Sequence, residues 1–139
     1  MKETHVVTCL LLNAEGRLLI LRRSNRVGSY QARWAGVSGY MEADPEEQAY
    51  RELQEEVGLT PHDVKLLRKG EPMDVPDPEL GKVWVVHPFL FLVADAERVR
   101  LDWEHTESRW IEPNDLPTYS TVPGLVQLLE RIYPTSSRP

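Results

Sequence analysis

The sequence predicts an α/β fold, and three observations lead there. Aliphatic and β-branched runs suited to strands alternate with segments of helical period. One helix, about residues 45–57, carries start and stop signals at both ends. The length of 139 residues suits one hydrophobic core, and no repeat, low-complexity tract or long linker divides the chain, so residues 1–139 are expected to form a single domain.

Taken in order, Val6 to Leu12 and Arg17 to Arg22 are strand-like runs joined by Asn13-Ala14-Glu15-Gly16, which reads as a hairpin. Ser24 to Arg33 is polar and contains Gly28, so it is expected as a surface loop leading into Trp34-Ala35-Gly36-Val37-Ser38-Gly39-Tyr40, whose glycines suggest close backbone approach. Asp44 suits an N-cap, Pro45 the first helical position, Glu47 the third place of a capping box and Gly58 the C-terminal stop. Val64 to Leu67 reads as a strand, and Lys69 to Gly81, with Pro72, Pro76 and Pro78, as a long acidic loop. Trp84 to Val93 is apolar on both faces, as in a central strand covered on both sides. Arg109 to Ile111 reads as a short strand and Val122 to Ile132 as a closing amphipathic helix.

Composition narrows the function classes. With 41% hydrophobic and 27% charged residues the chain matches soluble globular domains, and no apolar run nears the ~20 residues that span a bilayer. Met1 to His5 runs into the first strand without the apolar stretch of a signal peptide, so the expected compartment is the cytoplasm. A formal charge of −6 argues against a broad nucleic-acid surface, because such surfaces cluster Lys and Arg. A small phosphorylated substrate stays compatible if a cation neutralises it locally. Cys9 is the only cysteine and stands in an apolar run, which marks it as a buried structural thiol. His5, His62, His87 and His105 lack the spacing of a histidine metal centre. The sequence leaves a monomer and a homodimer both open.

The predicted helix carries the chemistry. With Glu52 at zero on a wheel of about 100° per residue, Glu55 falls near −60° and Glu56 near +40°. Three carboxylates therefore share one face, beside an apolar stripe of Ala49, Leu53 and Val57. Arg51 lies one turn from both Glu47 and Glu55 and can pair with either. Crowded like charges repel, and a divalent cation with oxygen ligands is the usual compensation. Standing alone, such a cluster would more often be a solvated acidic face.

It does not stand alone. The stretch Gly39-Tyr40-Met41-Glu42-Ala43-Asp44-Pro45, followed by Arg51-Glu52-Leu53-Gln54-Glu55-Glu56-Val57-Gly58-Leu59, resembles the Nudix box, G-x5-E-x7-R-E-U-x-E-E-x-G-U with U apolar. The second half matches at every specified position. Counted from Gly39, the first half is two residues short, and Ala43 is the nearest match to the box's first glutamate. Either Glu42 substitutes for that glutamate or the role is empty. The N-terminal hairpin, the arginine after the second strand, the long strand and Glu107-Ser108-Arg109-Trp110 extend the resemblance over most of the chain.

The resemblance implies a mixed β-sheet between helices, an α/β/α sandwich, and metal-dependent hydrolysis of a pyrophosphate linkage in a nucleoside-diphosphate derivative. ADP-ribose, dinucleoside polyphosphates, nucleotide sugars and nucleoside triphosphates are the substrates it brings into range. It implies Mg2+ or Mn2+ on Glu52, Glu55 and Glu56, with the Gly39 carbonyl and Glu42 as further candidate ligands and Arg51 orienting the glutamates. Arg22 and Arg23 are candidates for a substrate phosphate, and Trp34 and Tyr40 for a base. The general base is expected from the late acidic segment, with Glu104, beside the potentially desolvating Trp103, ahead of Glu107. Two alternatives share the fold: a non-catalytic nucleotide-metabolite sensor, which the retained carboxylates disfavour, and an isopentenyl-diphosphate isomerase, which needs a cysteine that Cys9 is poorly placed to supply.

Overall fold

The computed structural model describes residues 1–139. Eight strands form one mixed sheet: β1 (Lys2–Leu12), β2 (Leu18–Arg23), β3 (Trp34–Ala35), β4 (Val37–Tyr40), β5 (Val64–Lys69), β6 (Met73–Asp77), β7 (Lys82–Val93) and β8 (His105–Ile111), with helices α1 (Pro45–Val57) and α2 (Leu125–Ile132). The main path runs β3-β2-β1-β7-β5, with β4 also on β1, β6 on β7 and β8 on β2. Strands β1 and β7 pair in parallel over their whole lengths, Lys2 against Lys82 to Leu12 against Leu92. The other edge of β1 is divided, with β4 pairing at Val6 to Cys9 and β2 at Leu12.

Alternation along these strands makes two layers. Val7, Cys9, Leu11, Phe89, Phe91 and Val93 pack beneath α1 against Ala49, Leu53 and Val57. Leu10, Leu12 and Leu90 face the other way, onto Leu125, Leu129 and Ile132 of α2. The expected sheet between helices is what forms. No helix is long and apolar enough to cross a membrane.

Helix α1 begins and ends where its local signals place it. The Asp44 carboxylate accepts the Glu47 amide at 3.0 Å, Pro45 opens the first turn, and Gly58 takes a left-handed φ of 70° that lets its amide and that of Leu59 close the last turn.

Three expectations need correcting. Residues 69–81 are not one long loop, because Met73–Asp77 pairs antiparallel with β7; it has no partner on its other side, and such an edge strand tolerates Pro76. Strand β8 starts at His105 rather than Arg109, its polar residues being held by pairing with β2 and not by apolar burial. Helix α2 starts at Leu125 rather than Val122, since Pro123 and the left-handed Gly124 form a turn before it, closed by the Leu125 amide donating to the Val122 carbonyl.

Candidate active site

A cavity of about 280 Å³ opens over the N-terminal halves of β1 and β7. Even-numbered positions, Val6 and Thr8 of β1 with Trp84 and Val86 of β7, form its floor, on the face of the sheet opposite α1. The carboxylates of α1 reach it around β4. Gly39 leaves free the space that a Cβ would fill, and the Glu52 carboxylate lies against it. A side chain at position 39 would overlap the Glu52 carboxylate and displace it from this place, so the glycine lets Glu52 approach the backbone.

Glu55, Glu42 and Glu104 line the same cavity, while Glu56 lies deeper, 2% exposed. Gln48, one turn before Glu52, accepts the Glu42 amide at 2.9 Å and lies near enough to Glu52 to hold its carboxyl down against the effect of burial. The Ser38 backbone opposes the rise at Glu56, and the Ser38 hydroxyl meets Thr8 Oγ1 at 2.8 Å. Glu104 is set by a turn in which its amide donates to Asp102 Oδ1 at 3.0 Å and its carbonyl accepts the Ser24 amide at 2.7 Å. A bulge between β2 and β8 then separates two neighbours: Arg22 pairs with Glu107, whereas Arg23 lines the cavity.

The electrostatics are those of acids forced together out of water. Burial, then Glu55 and Glu104, pushes Glu52 up to about 7. Glu56 is raised well above the usual carboxylate range by burial, then by Glu104 and Glu52. Glu104 is raised by burial, then by Asp102. Burial lowers Arg23, although the surrounding acids oppose it. One oxygen each of Glu52 and Glu56 is buried with no hydrogen-bond partner. Such oxygens are costly to leave unmatched, and a bound cation would satisfy them.

The family model for the NUDIX domain matches residues 2–132. The chain belongs to the Nudix family. An RNA pyrophosphohydrolase of Novosphingobium aromaticivorans is 31% identical over 128 residues, covering 80% of this chain and 78% of that protein. A second, from a Marinomonas species, is 45% identical over 65 residues, covering 45% of this chain, and that match spans only 37% of the relative's own length. Among solved structures, a MutT protein of Methanosarcina mazei superposes with a TM-score of 0.78 at 24% identity, covering 94% of this chain and 92% of that one. An Ap4A hydrolase of C. elegans gives 0.76 at 20% identity, covering 92% and 93%.

In this Nudix domain the sequence-predicted residues divide into two groups. Gly39, Tyr40, Glu42, Glu52, Glu55, Glu104 and Arg23 meet at the cavity, with Glu56 just beneath. The others stand apart. Trp34 is 7% exposed in the α2-side core, edge-on to Tyr119 at 5.7 Å, and does not line the cavity. Arg22 and Glu107 are paired to each other at 3.6 Å, and Glu107 also meets Arg109. Arg51 pairs with Glu47 at 3.6 Å, one turn toward the N-terminus, and makes no ion pair with the three box glutamates. Trp103 is 54% exposed, with Arg26 over its ring at 5.5 Å. Cys9 is core, its thiol near the Ala49 carbonyl and raised by burial.

Several contributors were missed in the sequence. Gln48 follows the same i, i+4 logic as the glutamates and was legible on the helix wheel. His105, buried between Glu56 at 3.8 Å and Asp102 at 3.5 Å, was judged only for metal-ligand spacing. Tyr30, Asp77 and Trp84 come together only through the tertiary fold and left no local signal.

The residues fit a divalent cation. No three acidic, cysteine or histidine side chains close into a preformed cage. The fit rests on two buried carboxylate oxygens without partners, on Glu52 and Glu56, whose carboxyls are raised first by burial and then by neighbouring acids, with Glu52 against the bare Gly39 backbone. An all-oxygen, anionic donor set of this kind suits Mg2+ or Mn2+.

Proposed function

We propose that this chain is a divalent-cation-dependent pyrophosphohydrolase that cleaves a pyrophosphate linkage in a nucleoside-diphosphate derivative. The observation that carries this reading is the pair of buried, partnerless oxygens on Glu52 and Glu56 at the edge of a cavity large enough for a nucleotide fragment. Glu52, Glu55 and Glu56 would hold Mg2+ or Mn2+, with the Gly39 carbonyl and Glu42 as further ligands. Such a cation neutralises phosphate charge and makes bound water more acidic.

The chain's own side chains supply the rest. Glu104, raised by burial and by Asp102, takes the proton from the attacking water at its carboxylate. Arg23 presents a guanidinium inside the cavity and meets a phosphate oxygen, held by its Nε donating to the Ser29 carbonyl at 2.9 Å. Arg22 and Glu107 brace β2 against β8. His105 and Gln48 position Glu56 and Glu52.

Two of the relatives are named for RNA, yet a formal charge of −6 favours a small nucleotide over the body of a polynucleotide. The test is a panel of ADP-ribose, a dinucleoside polyphosphate, a nucleotide sugar, nucleoside triphosphates and a 5′-triphosphorylated oligoribonucleotide with Mg2+ or Mn2+. Release of phosphate, pyrophosphate or nucleoside monophosphate from at least one is expected, reduced at least ~100-fold in Glu52→Gln and Glu56→Gln. Near wild-type hydrolysis by both variants on a confirmed substrate would overturn the reading.

A further inference from the structure

Along the sequence the histidines lack the spacing of a metal centre, but the fold brings two of them together. His5 on β1 stands opposite Val85 and His87 on β7 opposite Val7, so the parallel pairing makes them diagonal neighbours. Both alternate onto the face that carries Val7, Cys9 and Phe89, the α1 side of the sheet. The carboxylate-lined cavity has its floor on the other face.

The two rings meet nitrogen to nitrogen. His5 Nδ1 lies 2.9 Å from His87 Nε2, with ring centroids 5.2 Å apart and planes tilted by 35°. Glu3 Oε1 stands 3.6 Å from the opposite nitrogen of His5, Nε2. That carboxylate draws the His5 proton to Nε2 and leaves Nδ1 bare toward His87. A carboxylate behind an imidazole is the arrangement that orients metal-ligating histidines. His87 then holds the shared proton on Nε2, and its shift to Nδ1 of the same ring frees a second nitrogen donor. Burial, then His5 and Lys69, holds His87 below the usual histidine range, so the ring is neutral, the state in which imidazole ligates. Zn–N bonds of ~2.05 Å at a tetrahedral angle put two ring nitrogens about 3.3 Å apart and the ring centroids about 5.2 Å apart. The centroids already have that separation, so the rings need only turn.

We infer that His5 and His87 form a second metal site, for a transition-metal cation of the Zn2+ class, with Glu3 orienting His5 and water completing the coordination. It stands independently of the hydrolase reading. Imidazole nitrogen suits Zn2+, Cu2+ and Ni2+, whereas Mg2+ prefers oxygen, so this site and the carboxylates of α1 select different metals. The His5 side chain is 46% exposed, which leaves water free to reach the ion. The chain supplies two ligands and not the three of a closed cage, so the ion exchanges with solution and is not structural. Lys69 is the positive charge beside His87, and Glu3 offsets it.

The test is Zn2+ titration of the full chain, free of any affinity tag and with Mg2+ in excess, in the Glu52→Gln, Glu56→Gln background, which removes two carboxylates of the α1 site. Calorimetry should show Zn2+ uptake at this site, and proton NMR should show the ring signals of His5 and His87 moving together while those of His62 stay. His5→Ala and His87→Ala should each weaken that uptake by more than the ~10- to 100-fold that loss of an outer-shell partner costs. His62→Ala should leave it unchanged. If His87→Ala fails to fold, His5→Ala decides alone, since its side chain is half-exposed at the start of β1. Absence of Zn2+ uptake, affinity within threefold after His5→Ala, or ring shifts at His62 or His105 in place of His5 and His87 overturns the site.

Discussion

The two helices that cover the sheet bury their faces for different ends. On α2, Leu125, Leu128, Leu129 and Ile132 are all sealed, and nothing buried there carries charge. On α1, Ala49, Leu53 and Val57 are equally sealed, but Gln48, Glu52 and Glu56 are buried beside them. Helix α2 holds the fold together. Helix α1 gives up part of that stabilisation by keeping acids out of water and close to one another, so that the charge is present where a cation can meet it. Changes on α1 and its acidic neighbours should cost function at little cost in stability, and changes on α2 the opposite.

The largest separation is expected at Glu104, which faces the α1 acids across the cavity. Glu104→Gln should lower kcat ~100- to 10,000-fold with metal affinity nearly unchanged, read by steady-state rates and Mn2+ titration. Lost metal affinity would make Glu104 a ligand, and a rate within threefold of wild type would remove it from the chemistry. On α2, Leu129→Ala should cost about 2–5 kcal/mol in denaturant unfolding. The refolded fraction should keep its KM, and a raised KM would show that α2 shapes the site.

A smaller effect tests the acids through pH. Because the folded protein raises Glu52 from an ordinary 4.5 to about 7, protonated Glu52 favours folding. That contribution is complete below about 4.5 and lost as pH rises through about 7. Metal-free protein should thus melt at progressively lower temperature across this window, and Glu52→Gln should flatten the trend. An identical slope in the variant would mean that Glu52 is ordinary in solution. The smallest change is expected at Glu107: with its partners Arg22 and Arg109 outside the cavity, Glu107→Gln should stay within threefold of wild-type kcat/KM. A hundredfold loss would bring Glu107 back as the base.

What was legible in the sequence follows from how local each signal is. Helix α1 is specified by residues within a few positions of one another, Asp44, Pro45, Glu47 and Gly58, and its glutamates share a face by spacing alone. The parallel pairing of β1 with β7 joins segments some 80 positions apart, and it brings Trp84 to Tyr40 without a local trace. Trp34 and Trp84 show the limit well. Both stand on strands and face the α2 side, and only the strand order decides that the first, on β3, is core and the second, on β7, lines the cavity. Strand β6 was hidden by Pro76 within it and by Pro72 and Pro78 on either side, and the tolerance of Pro76 depends on an edge position that pairing alone reveals. Arg22 and Arg23 were indistinguishable until the bulge with β8 set their directions.

The central claim is that the unmatched oxygens of Glu52 and Glu56 exist to hold a cation. Calorimetric titration of Mn2+ into the metal-free protein and into the Glu52→Gln, Glu56→Gln double variant tests it without any substrate. The double variant is expected to lose more affinity than the ~10- to 100-fold that removal of an outer-shell partner costs, while melting no lower than the metal-free wild type. Mn2+ affinity within threefold of wild type in the double variant would contradict it.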